Sequence, residues 1–135
     1  MRFNPKTPQK KSDRVRVFQV LDDPNYQGKP FEYEYDFGDC WEHEITLVGR
    51  KEATNVFTCV DGEGHACAED VGSTNGWAEL KAAFRASRPT KEQKENMRWF
   101  MKQASNGDSD GLGHGRDRLW AKERIDTRLA AFKIA

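Results

Sequence analysis

Four side chains of this chain could move protons, and they occur as two pairs. Asp39 and His43 lie at the tip of a predicted hairpin, and Glu69 and Asp70 lie in a glycine-flanked loop. An imidazole together with carboxylates in different environments is what general acid–base catalysis uses. The same residue types also form salt bridges and Asx-turns that only stabilise a fold, and the sequence leaves both interpretations open. If the set is catalytic, we expect the two segments to be neighbours in space and the substrate to be bound by Tyr35, Trp41, His65 and Trp77.

His43 is the residue on which these interpretations differ most. It shares one face of the predicted hairpin with Tyr33, Tyr35, Trp41 and Ile45. A histidine in such a place is either a core residue hydrogen-bonded to a tyrosine or to backbone, or a general base that titrates near neutral pH.

Two segments resemble metal sites but depart from the required patterns. One combines Cys59, His65 and Cys67 with His43 nearby, and it lacks the C-x2-C spacing of zinc ribbons and fingers. The other is the loop 105–118, in which the EF-hand order is partly followed by Asn106, Asp108, Asp110, Gly111 and Asp117. Asn stands at the first position and the shorter Asp at the last, where calcium sites need a bidentate Glu. We therefore expect no metal and no cofactor, and in this loop only a helix N-cap from Asp117.

The elements that must position these residues begin with a strongly patterned hairpin. Its aromatic and apolar residues alternate with acidic ones on both sides of residues 38–40. A three-residue loop would bring all the apolar residues to one face by pairing Phe37 with Trp41, Tyr35 with His43, Tyr33 with Ile45 and Phe31 with Leu47. That register sets Glu34 opposite Glu44 and Asp36 opposite Glu42, a repulsion that requires compensation. Solvent, a basic strand with Arg14 and Arg16, a bound cation or a protonated carboxylate could each supply it.

The remaining elements indicate strands first and helices afterwards. Strands are predicted at residues 14–21 and 56–60, with turn chemistry at 22–30 and a long loop at 61–73. A helix follows residue 75 and ends before Pro89, and a Thr90–Gln93 capping box begins a second helix that Asn106-Gly107 closes. A last helix is predicted to carry Trp120, Ile125, Leu129 and Phe132. We expect an α+β fold: an antiparallel β-sheet with a central hairpin, packed by two to three C-terminal helices.

Composition indicates one domain in a reducing compartment. The 135 residues suit a basic arm at 1–13 and a single domain at 14–135. Lys plus Arg equals Asp plus Glu at 22 each, so nucleic acid is not the favoured partner. No apolar run is long enough to span a membrane, and the N-terminus has no secretory signal pattern. Three cysteines without such a signal favour the cytoplasm.

The hairpin sequence resembles a known signature. Residues 33–45 follow the pattern Y-x-Y-D-F-G-D-x-W-x-H-x-I of the plasmid pRiA4b ORF-3-like family, also described as a transposon passenger family. The family's second block is similar to Cys59, Asp61-Gly62, Cys67-Ala68-Glu69-Asp70-Val71-Gly72 and Gly76-Trp77. The resemblance covers about residues 31–85, the C-terminal portion of the usual domain. It implies an α+β fold and no settled activity.

Two functions follow as hypotheses. The first is a small cofactor-independent enzyme that uses acid–base chemistry on a small molecule, as a cyclase, isomerase or hydrolase. The alternative is a non-catalytic interaction module that binds a protein or nucleic acid through the aromatic hairpin and the basic arm. An enzyme should have a concave pocket, whereas a module should present a flat or convex aromatic patch.

Overall fold

The computed structural model describes residues 14–132, so the predicted arm at 1–13 lies outside the described residues. The described elements comprise two strands, four α-helices and one short 3-10 helix, which is an α+β fold as predicted. Contacts divide the chain into two compact units, Met1–Lys51 and Glu52–Ala135, and each is described by itself. Within residues 14–132, no helix has the length and apolar character needed to cross a membrane.

The first unit begins with a helix where a strand was predicted. Helix α1 spans Val17–Leu21. The Gln19 side chain accepts a hydrogen bond from the Arg16 amide at 2.8 Å, and the Gln19 amide donates to the Arg16 carbonyl at 3.0 Å. These two local bonds close a helical turn and satisfy backbone groups that a strand could satisfy only with a partner.

The antiparallel hairpin is confirmed, but its predicted loop is wrong. Strands β1, Phe31–Tyr35, and β2, Trp41–Ile45, are joined by the five residues 36–40 rather than by three. Asp36 and Cys40 adopt left-handed φ angles of 59° and 53°, and Asp36 Oδ1 accepts from the Gly38 amide at 2.8 Å. Asp tolerates this conformation because its short side chain bonds to the local backbone. The turn therefore starts two residues earlier than predicted and takes Phe37 out of the ladder.

The observed register pairs Tyr35 with Trp41, Tyr33 with His43 and Phe31 with Ile45. It differs by two residues from the predicted one, so each side chain keeps its predicted face. The predicted pairs Glu34–Glu44 and Asp36–Glu42 are replaced by two pairs of glutamates that lie directly opposite each other, Glu32 with Glu44 and Glu34 with Glu42. The hairpin therefore has one aromatic face and one carboxylate face.

The strand predicted at residues 56–60 does not form. The Cys59 amide instead donates to Asp126 Oδ1 at 2.6 Å. A distant side chain thus takes the donor that a sheet ladder would have used.

The second unit is built on two helices, α2 over Ser73–Arg85 and α3 over Lys91–Lys102, which contact each other. Phe100 of α3 is fully buried and meets Trp77 and Phe84 of α2 edge-to-face, with ring centroids 6.3 and 6.0 Å apart. The predicted capping box is confirmed, since the Gln93 amide donates to Thr90 Oγ1 at 3.1 Å and the Thr90 amide to Gln93 Oε1 at 2.9 Å.

Helix α3 ends at Lys102, earlier than the predicted Asn106-Gly107. The amides of Gln103 and Ala104 both donate to the Trp99 carbonyl, and the Gly107 amide donates to Ala104. A side chain at Gly107 would put its Cβ 1.9 Å from the Phe100 carbonyl oxygen, so this close turn requires glycine.

The chain finishes with a 3-10 helix at Arg116–Arg118 and with α4 at Lys122–Leu129. The last helix is shorter than predicted: Trp120 lies before its first residue and Phe132 after its last. Gly62 lies against the Trp120 indole so closely that an added Cβ would be 2.1 Å from the ring.

Candidate functional site

His43 is exposed on the aromatic face of the hairpin. Its Nδ1 lies 3.1 Å from the Trp41 carbonyl oxygen and 3.3 Å from that of Tyr33. A carbonyl can only accept, so Nδ1 donates and Nε2 is the nitrogen left to accept a proton. The ring is tilted against Tyr33 at 5.9 Å. The imidazole is therefore not a core residue, and it is held by its own strand and by the neighbouring one.

The hairpin exposes much of its apolar surface. Exposure reaches 52% for Tyr33, 44% for Tyr35 and 90% for Phe37, while Trp41 is half-buried. Asp39 is half-buried in the loop beside them. Large exposed aromatic side chains therefore lie on one face of the hairpin and in its loop.

The second predicted segment is held to the loop 105–118 by one amide side chain. Asn106 Oδ1 accepts from the Glu69 amide at 2.8 Å, and Asn106 Nδ2 donates to the Cys67 carbonyl at 2.9 Å. Both ends of the Asn106 side chain are used in this way. Asn106, at the start of the EF-hand-like loop, therefore connects this loop to the segment that contains Cys67 and Glu69.

His65 belongs to the same connection. Its Nε2 is 3.1 Å from Asp108 Oδ2 and its Nδ1 is 2.8 Å from the Ala66 carbonyl oxygen. The ring also lies 6.3 Å from the Trp77 ring and 6.1 Å from the Phe100 ring. Two residues predicted to bind substrate, His65 and Trp77, are thus brought together, although both ring nitrogens of His65 already face oxygens.

Asp108, which the sequence offered only as an EF-hand-like position, is the centre of this network. Its side chain is 6% exposed, and Oδ2 accepts from Arg116 Nη2 at 2.8 Å. Burial alone would raise the pKa of the carboxyl, but bonds from the Asp110 amide, His65 and Arg116 outweigh burial and lower the pKa to about 2. Asp108 is a buried ion-pair residue.

Asp117 does not cap a helix as predicted. It lies inside the 3-10 helix, is buried, and forms an ion pair with Arg85 of α2. The residue at the N-cap position is Gly115, in a left-handed conformation with φ 82°. The ion pair forms instead of the cap because an unpaired buried carboxylate costs more free energy than an uncapped helix end.

No group of three or more His, Cys, Asp or Glu side chains in residues 14–132 is placed to hold a metal ion. The three cysteines are free thiols. Burial raises the pKa of the Cys67 thiol, and the nearby Lys81 ammonium partly offsets this effect.

Asp70 borders a groove of about 310 Å³ in the second unit. The walls come from the predicted loop, from α2 and from α3, as Asp70, Val71, Gly76, Glu79, Leu80, Asn96 and Trp99. The loop enters α2 through three left-handed residues: Asp70 with φ 58°, Gly72 with φ 91° and Ser73 with φ 63°. Asp70 was predicted from the sequence as a site residue, but Glu79, Asn96 and Trp99 were not. Their spacing within α2 and α3 is the only sequence feature that could have indicated them.

A second cavity, of about 280 Å³, lies in the first unit between α1 and the hairpin ends. Its cationic wall residues are Lys29 and Arg50, and Arg50 forms an ion pair with Asp22. None of the residues predicted from the sequence as catalytic or substrate-binding lines this cavity.

The four predicted catalytic residues are divided between the units. Asp39 and His43 belong to the first, and Glu69 and Asp70 to the second. Their meeting in one composite site stays a prediction.

The chain belongs to the plasmid pRiA4b ORF-3-like family, whose sequence profile matches residues 1–112. It is also similar to the uncharacterized protein y4hQ of Sinorhizobium fredii (strain NBRC 101917 / NGR234), at 33% identity over 88 residues. That match covers 64% of this chain and 44% of the relative, so the chain spans less than half the length of the curated relative it matches. No solved structure matches the chain.

Proposed function

We propose that the protein is an interaction module that binds an extended peptide segment as an added strand on its hairpin. The observation that carries this proposal is the two-faced hairpin itself. It pairs an exposed aromatic face with a face of four glutamates, on a sheet that has only two strands in the described part of the chain.

Strand addition suits this hairpin because each strand of a two-stranded sheet has an edge with unpaired backbone groups. A two-stranded sheet is also marginally stable by itself, and a third strand would contribute both hydrogen bonds and apolar contact. The added backbone would give affinity, and its alternating side chains would give specificity.

The charges define what that strand should carry. Glu34 and Glu42 are directly opposite each other and repel. Successive residues of an added strand would point alternately to the glutamate face and to the aromatic face. The segment that fits therefore alternates arginine or lysine with apolar residues, and its cations would relieve the repulsion.

The test is a binding titration with a labelled ten-residue peptide that alternates arginine and valine. We expect it to bind at least about tenfold more tightly than a peptide alternating glutamate and valine. An equally charged peptide with prolines in place of alternate valines should bind weakly, because proline cannot donate to a ladder. The double variant Glu34→Lys with Glu42→Lys should reverse the charge preference.

Three outcomes would overturn the proposal. They are equal binding of the valine and proline peptides, an unchanged preference in the double variant, and displacement of the arginine peptide by a single-stranded oligonucleotide that binds the wild type more tightly. The melting temperature of the double variant serves as the control for folding.

Acid–base chemistry on a small molecule stays a second candidate. One observation favours it: Asp70 borders a groove of ligand size. A general acid or base must come within hydrogen-bond reach of the reacting proton, and a carboxylate at the wall of a groove meets that requirement once a substrate is bound.

We also propose that the protein acts in the cytoplasm. The three free cysteines support this, because thiols of secreted proteins are normally consumed in disulfides.

A further inference from the structure

We infer that the groove bordered by Asp70 and Trp99 binds a small organic cation that carries an aromatic or apolar group. This inference concerns the second unit and does not depend on strand binding by the hairpin. It needs the groove of the second candidate function but not any catalysis there.

The charged residues that line the groove are all acidic. Asp70 and Glu79 contribute two carboxylates, and none of the lining residues is cationic. Both side chains belong to exposed residues, and no ion pair joins either of them to another described residue. A small cation entering the groove would meet two like charges that no ion pair within residues 14–132 neutralises.

The remaining walls favour a ligand that is only partly polar. Trp99 is half-buried and offers an indole ring, to which a cation or an aromatic group is attracted. The half-buried Val71 supplies apolar surface, and Asn96 supplies an amide that can both donate and accept.

The volume of the groove limits the size of its ligand. A volume of about 310 Å³ is at the small end of ligand sites. It corresponds to roughly ten water molecules at ~30 Å³ each, which suits a ligand of the size of an arylalkylamine.

Gly76 lets the loop approach α2 closely at one wall of the groove. It lies in α2 facing the loop, and an added Cβ would be 1.8 Å from the Val71 carbonyl oxygen. Glu79 and Leu80 follow at three and four residues along the helix, so they lie on the same side of α2.

The test is a chemical-shift titration of the full chain with phenethylamine as the probe. Phenylethanol and 3-phenylpropionate are the neutral and anionic controls of similar shape. We expect phenethylamine to shift the Trp99 indole N–H and the amides of Val71 and Leu80, with an affinity at least about tenfold above that of either control.

Asp70→Asn and Glu79→Gln should each weaken phenethylamine binding by about tenfold or more. Glu63→Gln, an exposed carboxylate of the same unit outside the groove, should leave it unchanged. Equal binding of the three probes, an unchanged affinity in both groove variants, or shifts confined to other residues would overturn the inference. Binding without conversion of the probe would leave the inference standing and give the acid–base function no support.

Discussion

Asp108 shows at the scale of one residue how a carboxylate can be buried and remain charged. Its Oδ2 faces His65 Nε2 at 3.1 Å, Arg116 Nη2 at 2.8 Å and Arg124 Nη1 at 3.7 Å. Burial would raise its pKa, but bonds from the Asp110 amide, His65 and Arg116 lower it to about 2, whereas an aspartate in an unfolded chain titrates at about 4. The folded pKa is the lower one, so this stabilisation is complete above about pH 4 and is lost as the pH falls toward 2.

We therefore expect Asp108→Asn to lower the free energy of unfolding at pH 7 by on the order of 2 kcal/mol. It should also make the loss of stability between about pH 4 and pH 2 shallower. Urea denaturation over a pH series measures both effects. Asp110→Asn is the matched control, because Asp110 is exposed and lies 3.5 Å from the same Arg116. An Asp108→Asn protein with the wild-type pH profile would contradict this account.

The bonding partners of Asp108 and Asp117 could not be predicted from the sequence. The EF-hand-like order of Asp108 and Asp117 was visible along the chain, but their real partners are Arg116 and His65 for the one and Arg85 for the other. Arg85 is 32 residues from Asp117, and His65 is 43 residues from Asp108. The spacing of residues shows which ligands a loop could offer, whereas tertiary packing decides which side chains bond to it.

At the scale of elements, the outcome of each prediction depended on how local its determinants were. The Thr90–Gln93 capping box was predicted correctly because both bonds lie within three residues. The loop length of the hairpin could not be predicted from the alternating pattern. Two registers that differ by two residues leave each side chain on the same face of the hairpin, so the pattern fits both. The strand at 56–60 failed because a strand needs a neighbour, and Cys59 is bonded to Asp126, 67 residues away.

Helix α2 offers a prediction at this scale. Alanine is normally better than glycine inside a helix by roughly 0.5–1 kcal/mol. At Gly76 the sign should reverse, because the new Cβ would overlap the Val71 carbonyl oxygen. We expect Gly76→Ala to lower the free energy of unfolding by about 1–3 kcal/mol, the usual cost of overpacking.

Gly113→Ala is the matched glycine for this comparison. It lies in the same unit, and the nearest atom to an added Cβ is 4.0 Å away. Its effect on denaturant unfolding should stay within about 0.5 kcal/mol of zero. Equal effects of the two substitutions would show that close packing at Gly76 does not control the stability of α2.

At the scale of the whole molecule, the two units differ in what holds them together. Every fully buried residue among those described lies in the second unit, where Phe100, Leu80 and Leu112 are the largest. The first unit contains helix α1 and the hairpin, neither of which has a fully buried residue.

Separating the units should expose this difference. We expect a fragment of residues 52–135 to melt cooperatively, at a temperature close to the main transition of the full chain. A fragment of residues 1–51 should show no cooperative transition, because none of its described residues, 14–51, is fully buried, and apolar burial is what offsets the loss of chain entropy. Thermal melts followed by circular dichroism check both. A fragment 52–135 without a transition would mean that its core requires the preceding residues.

The amide of Asn106 has a consequence for how the protein ages chemically. Asn followed by Gly is a sequence prone to deamidation, because the backbone nitrogen of the glycine can attack the asparagine side chain. Here that nitrogen donates to Ala104 at 3.1 Å, and the side chain is bonded at both ends to Glu69 and Cys67. The bonds that join the two loops thus also shield the reactive pair. Deamidation of Asn106 should therefore be slow and should occur only when the loop opens locally. The reaction replaces the Nδ2 amide group, so it removes the donor of the hydrogen bond to the Cys67 carbonyl.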